Sequence, residues 1–142
     1  MAHVEFLLIH KDAALPEPMD SGWDIAVSES VVVPARQVAR VRTGCAIGIP
    51  EGYVGMLYER MHLVLKQPYQ LLCPVIHTGF DAEVSLMVYN LSDKPLELRK
   101  YDKIAQLLAI PVLPYSQPVM TLTSRKRQHI GHSGYRTHEP SK

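Results

Sequence analysis

The sequence predicts an all-β domain, and three observations carry the prediction. Eleven prolines and eight glycines break the chain about every ten residues, the spacing of short strands joined by turns. The runs between these breaks are rich in Val, Ile and Leu. Two stretches then alternate with the two-residue period of a half-buried strand. One is Val38, Ala39, Arg40, Val41, Arg42; the other, from Glu83, sets Val84, Leu86 and Val88 against Ser85, Met87 and Tyr89.

In chain order, "VEFLLIH" opens as a strand, and "SGWDIAVSES" follows a proline-rich loop as another. "VVVPARQVARVRTGCAIGI" then alternates, with Pro34 fitting an edge strand or a strand end, where a missing backbone donor costs least. "PEGY" is a turn, since proline presets one torsion and glycine tolerates the next. "VGMLYERMHLVLKQP" fits either a strand or a short helix. "PVIHTGFDAEVSLMVYN" reads as a hairpin with His77 just before its turn. "NLSDKPLELRKYDKIAQLLAIPVLP" adds a turn and two strands. The expected division is a β-domain over residues 1–123 and a basic, glycine-containing C-terminal arm over 124–142.

At 142 residues the chain is long enough for one domain with its own core. Its net charge of +1 gives no global field to draw nucleic acid or an anionic membrane, so neither is expected as a partner. No apolar run approaches the roughly 20 residues that span a bilayer. The opening "MAHVEFLLIHKDAAL" lacks the apolar core of a signal peptide, so an intracellular protein, cytoplasmic or nuclear and not secreted, is expected. Cys45 and Cys73 have no nearby partner of the kind zinc and redox motifs need, and both are expected as buried thiols.

Several of these stretches, taken in order, resemble the trimeric dUTPase (dUTP diphosphatase) family. "DSGWDIAVS" is similar to the family's first motif, with Asp24 at its acidic position. "YERMHLVLK" stands where the second motif has Pro-Arg-Ser-Gly, and "VIHTGFDAEV" where the third has Ile-Asp, two residues, then Tyr-Arg-Gly-Glu. "YDKIAQLL" is similar to the fourth, and "HIGHSG" occupies the place of the glycine-rich fifth. The likeness runs from about Ala13 to Gly134. It implies a distorted, jelly-roll-like β-barrel, a homotrimer, and three sites that each draw motifs from all three chains, with the fifth motif closing over the phosphates. It also implies magnesium wherever a nucleotide is bound. Otherwise no cofactor is expected.

The likeness also locates departures. The third-motif aspartate, which activates the attacking water in the family, is His77 here; Glu83 keeps the acidic position that follows it, and the resemblance places both in the catalytic group. A neutral imidazole can take up a proton, so His77 remains a possible general base, against a structural or ligand-contacting reading. In the second motif Arg60 is kept, but the phosphate-binding serine is Met61 and the glycine is His62. Methionine offers no donor to a phosphate oxygen, and one lost charge-assisted hydrogen bond costs about 1.5–3 kcal/mol. Phe80 replaces a tyrosine and keeps a ring that can stack, while Asp81 replaces an arginine. Gln106 could present its amide to a phosphate or simply support the scaffold. In the arm, Gly131, His132, Ser133 and Gly134 could form an anion nest, with Arg125 or Arg127 as the accompanying cation.

His62, His77 and His132 could converge across subunits and suit zinc, against three unrelated histidines. "SRKR" could be a nuclear address or phosphate-binding arm, against a solvated basic tail. Trp23 and the tyrosines read as core and interface aromatics. The losses in motifs two, three and five favour a trimeric binding scaffold that has lost hydrolysis, partnered by itself, a host protein or a deoxynucleotide. The alternative is a divergent diphosphatase using His77. Degenerate dUTPase-like chains of this size occur in viruses, and the sequence loosely resembles the adenoviral early-region proteins. The PDZ-ligand mechanism of those proteins is not expected from the ending "HEPSK".

Overall fold

Residues 2–113 are described by the computed structural model, and they form strands almost throughout. In chain order these are β1 (Glu5–Leu8), β2 (Glu17–Pro18), β3 (Trp23–Ala26), β4 (Val31–Val33), β5 (Val38–Gly48) and β6 (Tyr53–Glu59). One helical turn and a half, α1 (Met61–Lys66), interrupts them. Then come β7 (Tyr69–Leu72), β8 (Val75–Ile76), β9 (Glu83–Asn90), β10 (Leu96–Leu98) and β11 (Lys103–Pro111). All the pairings are antiparallel, in sheets ordered β1-β5-β9-β7, β2-β3-β11-β6-β8 and β10-β4. The all-β expectation holds.

The alternation in β9 is realised residue by residue: Val84, Leu86 and Val88 are buried, and Ser85, Met87 and Tyr89 are half-buried. They join Val41 and Ile47 of β5 and Ile25, Leu57, Ile104 and Leu107 of the five-stranded sheet in one core cluster. The two large sheets therefore share one core, as expected where each strand has one apolar face to hide. Asn90 ends β9 wholly buried, yet its amide donates to the carbonyls of Val33, Pro34 and Lys94, so no polar atom is stranded there. At Gly22 any side chain would collide with the sheet, because a Cβ would lie 2.0 Å from the Leu107 carbonyl oxygen.

The stretch 54–68, open between strand and helix, divides at Arg60 into β6 and α1. Two expectations need correction. Residues 75–90 are not a hairpin: β8 pairs with β6 in the five-stranded sheet, while β9 pairs with β5 and β7 in the other. The link through His77 is therefore a crossover between sheets. Cys45 is buried as expected, but Cys73 is exposed, in the short link between β7 and β8. Apolar neighbours misled here, because they belong to strands that point inward while Cys73 sits in the turn, at φ 52°. Trp23 is a packing aromatic, edge-on to Phe6 with centroids 5.5 Å apart. Among the described residues no helix is long and apolar enough to cross a membrane.

Candidate functional site

Asp24 stands in β3 opposite Gln106 of β11, and Gln106 in turn lies opposite Tyr58 of β6. Antiparallel pairing of three strands distant in sequence thus gathers the first- and fourth-motif residues beside the end of β6. There the chain turns into α1 with Arg60 as its N-cap residue in extended conformation. The Arg60 guanidinium lies 3.3 Å from the Asp24 carboxylate, and its other terminal nitrogen donates to the Lys103 carbonyl at 3.3 Å. Asp24 is only 5% exposed, so Arg60 is the charge that makes its burial tolerable. Gln106 donates through Nε2 to the Glu59 carbonyl at 3.1 Å, orienting its amide beside the pair.

The backbone of Arg60 is fixed by a residue that the sequence did not single out. The Tyr69 hydroxyl accepts the Arg60 N–H at 3.1 Å and donates to the Ile104 carbonyl at 2.6 Å. Burial pushes the Tyr69 phenol above its ordinary pKa, which keeps that donor protonated. A tyrosine one turn beyond a helix carries no motif signal, so only the fold reveals the role.

Asp24, Arg60 and Gln106 line a cavity of about 440 Å³, together with Asp20, Met61 and His62. Asp20 was also not anticipated, although it lies four residues before Asp24 on the loop entering β3. An adjoining hollow of about 500 Å³ is apolar, walled by Tyr58, Met61, Val64, Leu65 and Leu108. Met61 is 77% exposed and Leu65 79%, one turn apart on the same side of α1. At this edge of the cavity α1 therefore presents a thioether beside a leucine.

Magnesium is commonly held by one or two carboxylates with substrate phosphates and water. Asp20 and Asp24 line the cavity, with Asp24 already paired to Arg60, and this donor set fits an ion that arrives on a substrate's phosphates. Among the described residues no group of three or more His, Cys, Asp or Glu side chains is placed to hold a metal by itself.

The remaining expected site residues lie elsewhere. His77, Phe80 and Asp81 are exposed on the crossover, away from the residues lining the Asp24 cavity. A turn closes there with the Phe80 N–H donating to the His77 carbonyl at 3.2 Å, and Gly79 takes the positive φ of 81° that its third position requires. Thr78 anchors the turn by donating to the Ile49 carbonyl at 2.8 Å. Glu83 serves β5: its carboxylate accepts the Gly44 N–H at 2.8 Å and pairs with Arg42 at 3.1 Å, bracing the irregularity where β5 and β9 shift register. Of the three histidines considered for zinc, His62 is on α1 and His77 on the crossover. His132, with Arg125, Gly131, Ser133 and Gly134, lies outside the described residues.

With this geometry in view, comparison with known proteins is decisive. The dUTPase family model matches residues 11–137. The chain belongs to the dUTPase family. A deoxyuridine 5'-triphosphate nucleotidohydrolase from Gloeobacter violaceus is 34% identical over 134 residues, covering 86% of this chain and 90% of that protein. One from Paramecium bursaria Chlorella virus 1 is 35% identical over 88 residues, 62% of each chain. Among solved structures, a dUTPase of the Staphylococcus aureus phage phi11, described with a structural Mg(II) ion, superposes with a TM-score of 0.75. It is 24% identical and covers 89% of this chain and 99% of its own. That likeness speaks for the fold, and the β-barrel expectation agrees with it.

Proposed function

We propose that this chain forms a dUTPase-family homotrimer that has given up dUTP hydrolysis and serves as a binding scaffold. Met61 is the observation that carries the reading. It stands 77% exposed at the start of α1, where the family motif has its phosphate-binding serine, and it merges the polar cavity with an apolar hollow. A thioether cannot donate to a phosphate oxygen, and apolar surface gathered around a cleft suits a protein side chain better than a triphosphate. His77 and Asp81 point the same way, because the turn lacks the family's fixed carboxylate and carries a negative charge in place of an arginine. The partner class is a protein, of the host if the chain is viral. Residues 124–142 form the arm of this reading, and its setting is intracellular.

The pairing of Asp24 with Arg60 beside Gln106 supports a second reading. In it the chain is a divergent deoxynucleotide diphosphatase that releases dUMP and pyrophosphate. The relatives named as nucleotidohydrolases at 28–35% identity favour it equally. Here Arg60 and Gln106 would orient the phosphates. Asp24 and Asp20 would hold magnesium, which neutralises phosphate charge when bound. His77 of another subunit would take the proton from the attacking water.

The test is pyrophosphate release from each deoxynucleoside triphosphate with magnesium, alongside calorimetric binding and light scattering for the trimer. No turnover is expected from the natural chain, and gain of turnover is expected on combining His77→Asp, Met61→Ser and His62→Gly. Turnover of dUTP that disappears in His77→Ala would overturn the scaffold reading.

A further inference from the structure

A third cavity, of about 450 Å³, opens on the other flank of α1, between the helix, β10 and the turn entering β11. Its floor is apolar and well packed: Tyr69, Leu96, Leu98 and Ile104 are each 8% exposed or less. Tyr101 forms a wall. It is half-exposed at φ 73° and held by its N–H to the Val27 carbonyl at 2.8 Å. Lys100 lies 5.0 Å from the centre of that ring, which limits the ring's freedom.

The charges around this floor are unequal in their commitments. Arg60 is occupied by Asp24, and Lys103 by Glu17. Asp102 is turned to the Arg99 N–H at 2.8 Å. Lys66 and Glu97, both exposed, line the cavity and form no ion pair among the described residues, and His62 stands beside Lys66. Counting Arg60, Lys66 and Lys103 against Glu97 and Asp102, the lining carries a net +1 with His62 neutral. An apolar floor in a half-open cavity of about 450 Å³, with an uncommitted ammonium at its rim, is the composition of a small-molecule pocket.

We propose that this cavity, which shares Arg60 and His62 with the Asp24 cavity but has its own floor and rim, is a second ligand site, taking an organic anion with a flat apolar body. The body would rest on Leu96, Leu98 and Tyr69 against Tyr101, and the anionic group would meet Lys66. Lys66 and Glu97 are both surface side chains, so exchanging their charges alters the rim and leaves the floor intact.

The full chain in its native assembly is titrated with 1-anilinonaphthalene-8-sulfonate, reading fluorescence. One saturable site per chain is expected, weakened about tenfold or more by Lys66→Glu and tightened several-fold by Glu97→Lys. Competition by phenyl phosphate or by benzoate identifies the preferred head group, and dUTP is expected not to compete. Failure of both competitors, displacement by dUTP, or indifference to both charge variants would overturn the proposal. So would loss of binding in Leu65→Ser, because it would put the probe in the apolar hollow across the helix. Since dUTP hydrolysis is not read, the result stands whichever way the turnover assay falls.

Discussion

Residues that the family likeness assigns to one site sit in two very different surroundings here. Asp24, Arg60 and Gln106 are built into the sheet: one is buried, one caps α1 and holds two elements, and one donates to the backbone of β6. His77, Phe80 and Asp81 ride on an exposed crossover held by Thr78 and a single turn hydrogen bond. By the resemblance drawn from the sequence, the first group keeps the family's residue types and the second does not. The physical difference suffices to explain the contrast. A side chain that also supports the fold costs stability when replaced, whereas one on a solvated turn serves only chemistry and is replaceable once that chemistry is not needed.

The sharpest test of this contrast is Asp24→Ala. It leaves the Arg60 guanidinium, 22% exposed, without its carboxylate in a mostly buried place. Removing one partner of such a pair is expected to cost about 3 kcal/mol, read as a fall in the urea midpoint at constant slope. A loss below about 1 kcal/mol would mean that Asp24 is held for ligand chemistry alone.

The two cysteines repeat the comparison, one in each kind of surrounding. Cys45 is buried near Glu83, and desolvation followed by that carboxylate's charge raises its thiol to about 11. The unfolded thiol ionises near its ordinary value of 9.0, so between pH 9 and 11 deprotonation favours the unfolded chain. Stability should therefore fall by about 2 kcal/mol across that window, relative to a Cys45→Ala variant measured at the same pH values. Below pH 9 the two curves should run parallel. A thiol reagent at pH 8 should modify Cys73 in the folded protein and reach Cys45 only after denaturant is added.

Much of this was legible in the sequence, and the boundary falls along the same line. Period-two alternation marks strands that bury one face, which is why β5 and β9 were readable. Linear order could not tell which strand would pair with which, so the two-residue strand β8 looked like half of a hairpin when it is the edge of the other sheet. Within the site, the motif residues Asp24, Arg60 and Gln106 do line one cavity. Tyr69 is hidden from the sequence because its part depends on distances across the sheet, which no spacing in the chain encodes; Asp20 is not hidden in that way, since it opens the stretch that carries the first motif. The resemblance puts Glu83 in the catalytic group, and its contacts with Gly44 and Arg42 also make it a brace for β5, a task the motif alone does not show.

Gln106→Ala offers a smaller measure of the same contrast. It removes one half-buried hydrogen bond to the Glu59 carbonyl, which regains water at the open cavity. A loss of about 1 kcal/mol in urea unfolding is expected. If Gln106 also serves a ligand, nucleotide affinity measured by calorimetry would fall further than stability does.

At the lower end stand His77→Ala and Phe80→Ser. Both side chains are exposed, Phe80 by 44%, and the turn is held by backbone, Gly79 and Thr78, which neither change touches. Each is expected to alter stability by under about 0.5 kcal/mol in either direction. The same variants then test whether the crossover serves assembly, which both readings of function require. If the crossover forms part of a subunit contact, as motif sharing between chains requires, they should shift the monomer–trimer balance in light scattering on dilution while the urea midpoint of the chain hardly moves. If neither quantity moves, the crossover carries neither fold nor assembly. Its substituted residues would then have to be accounted for by a partner protein or a ligand that meets them directly.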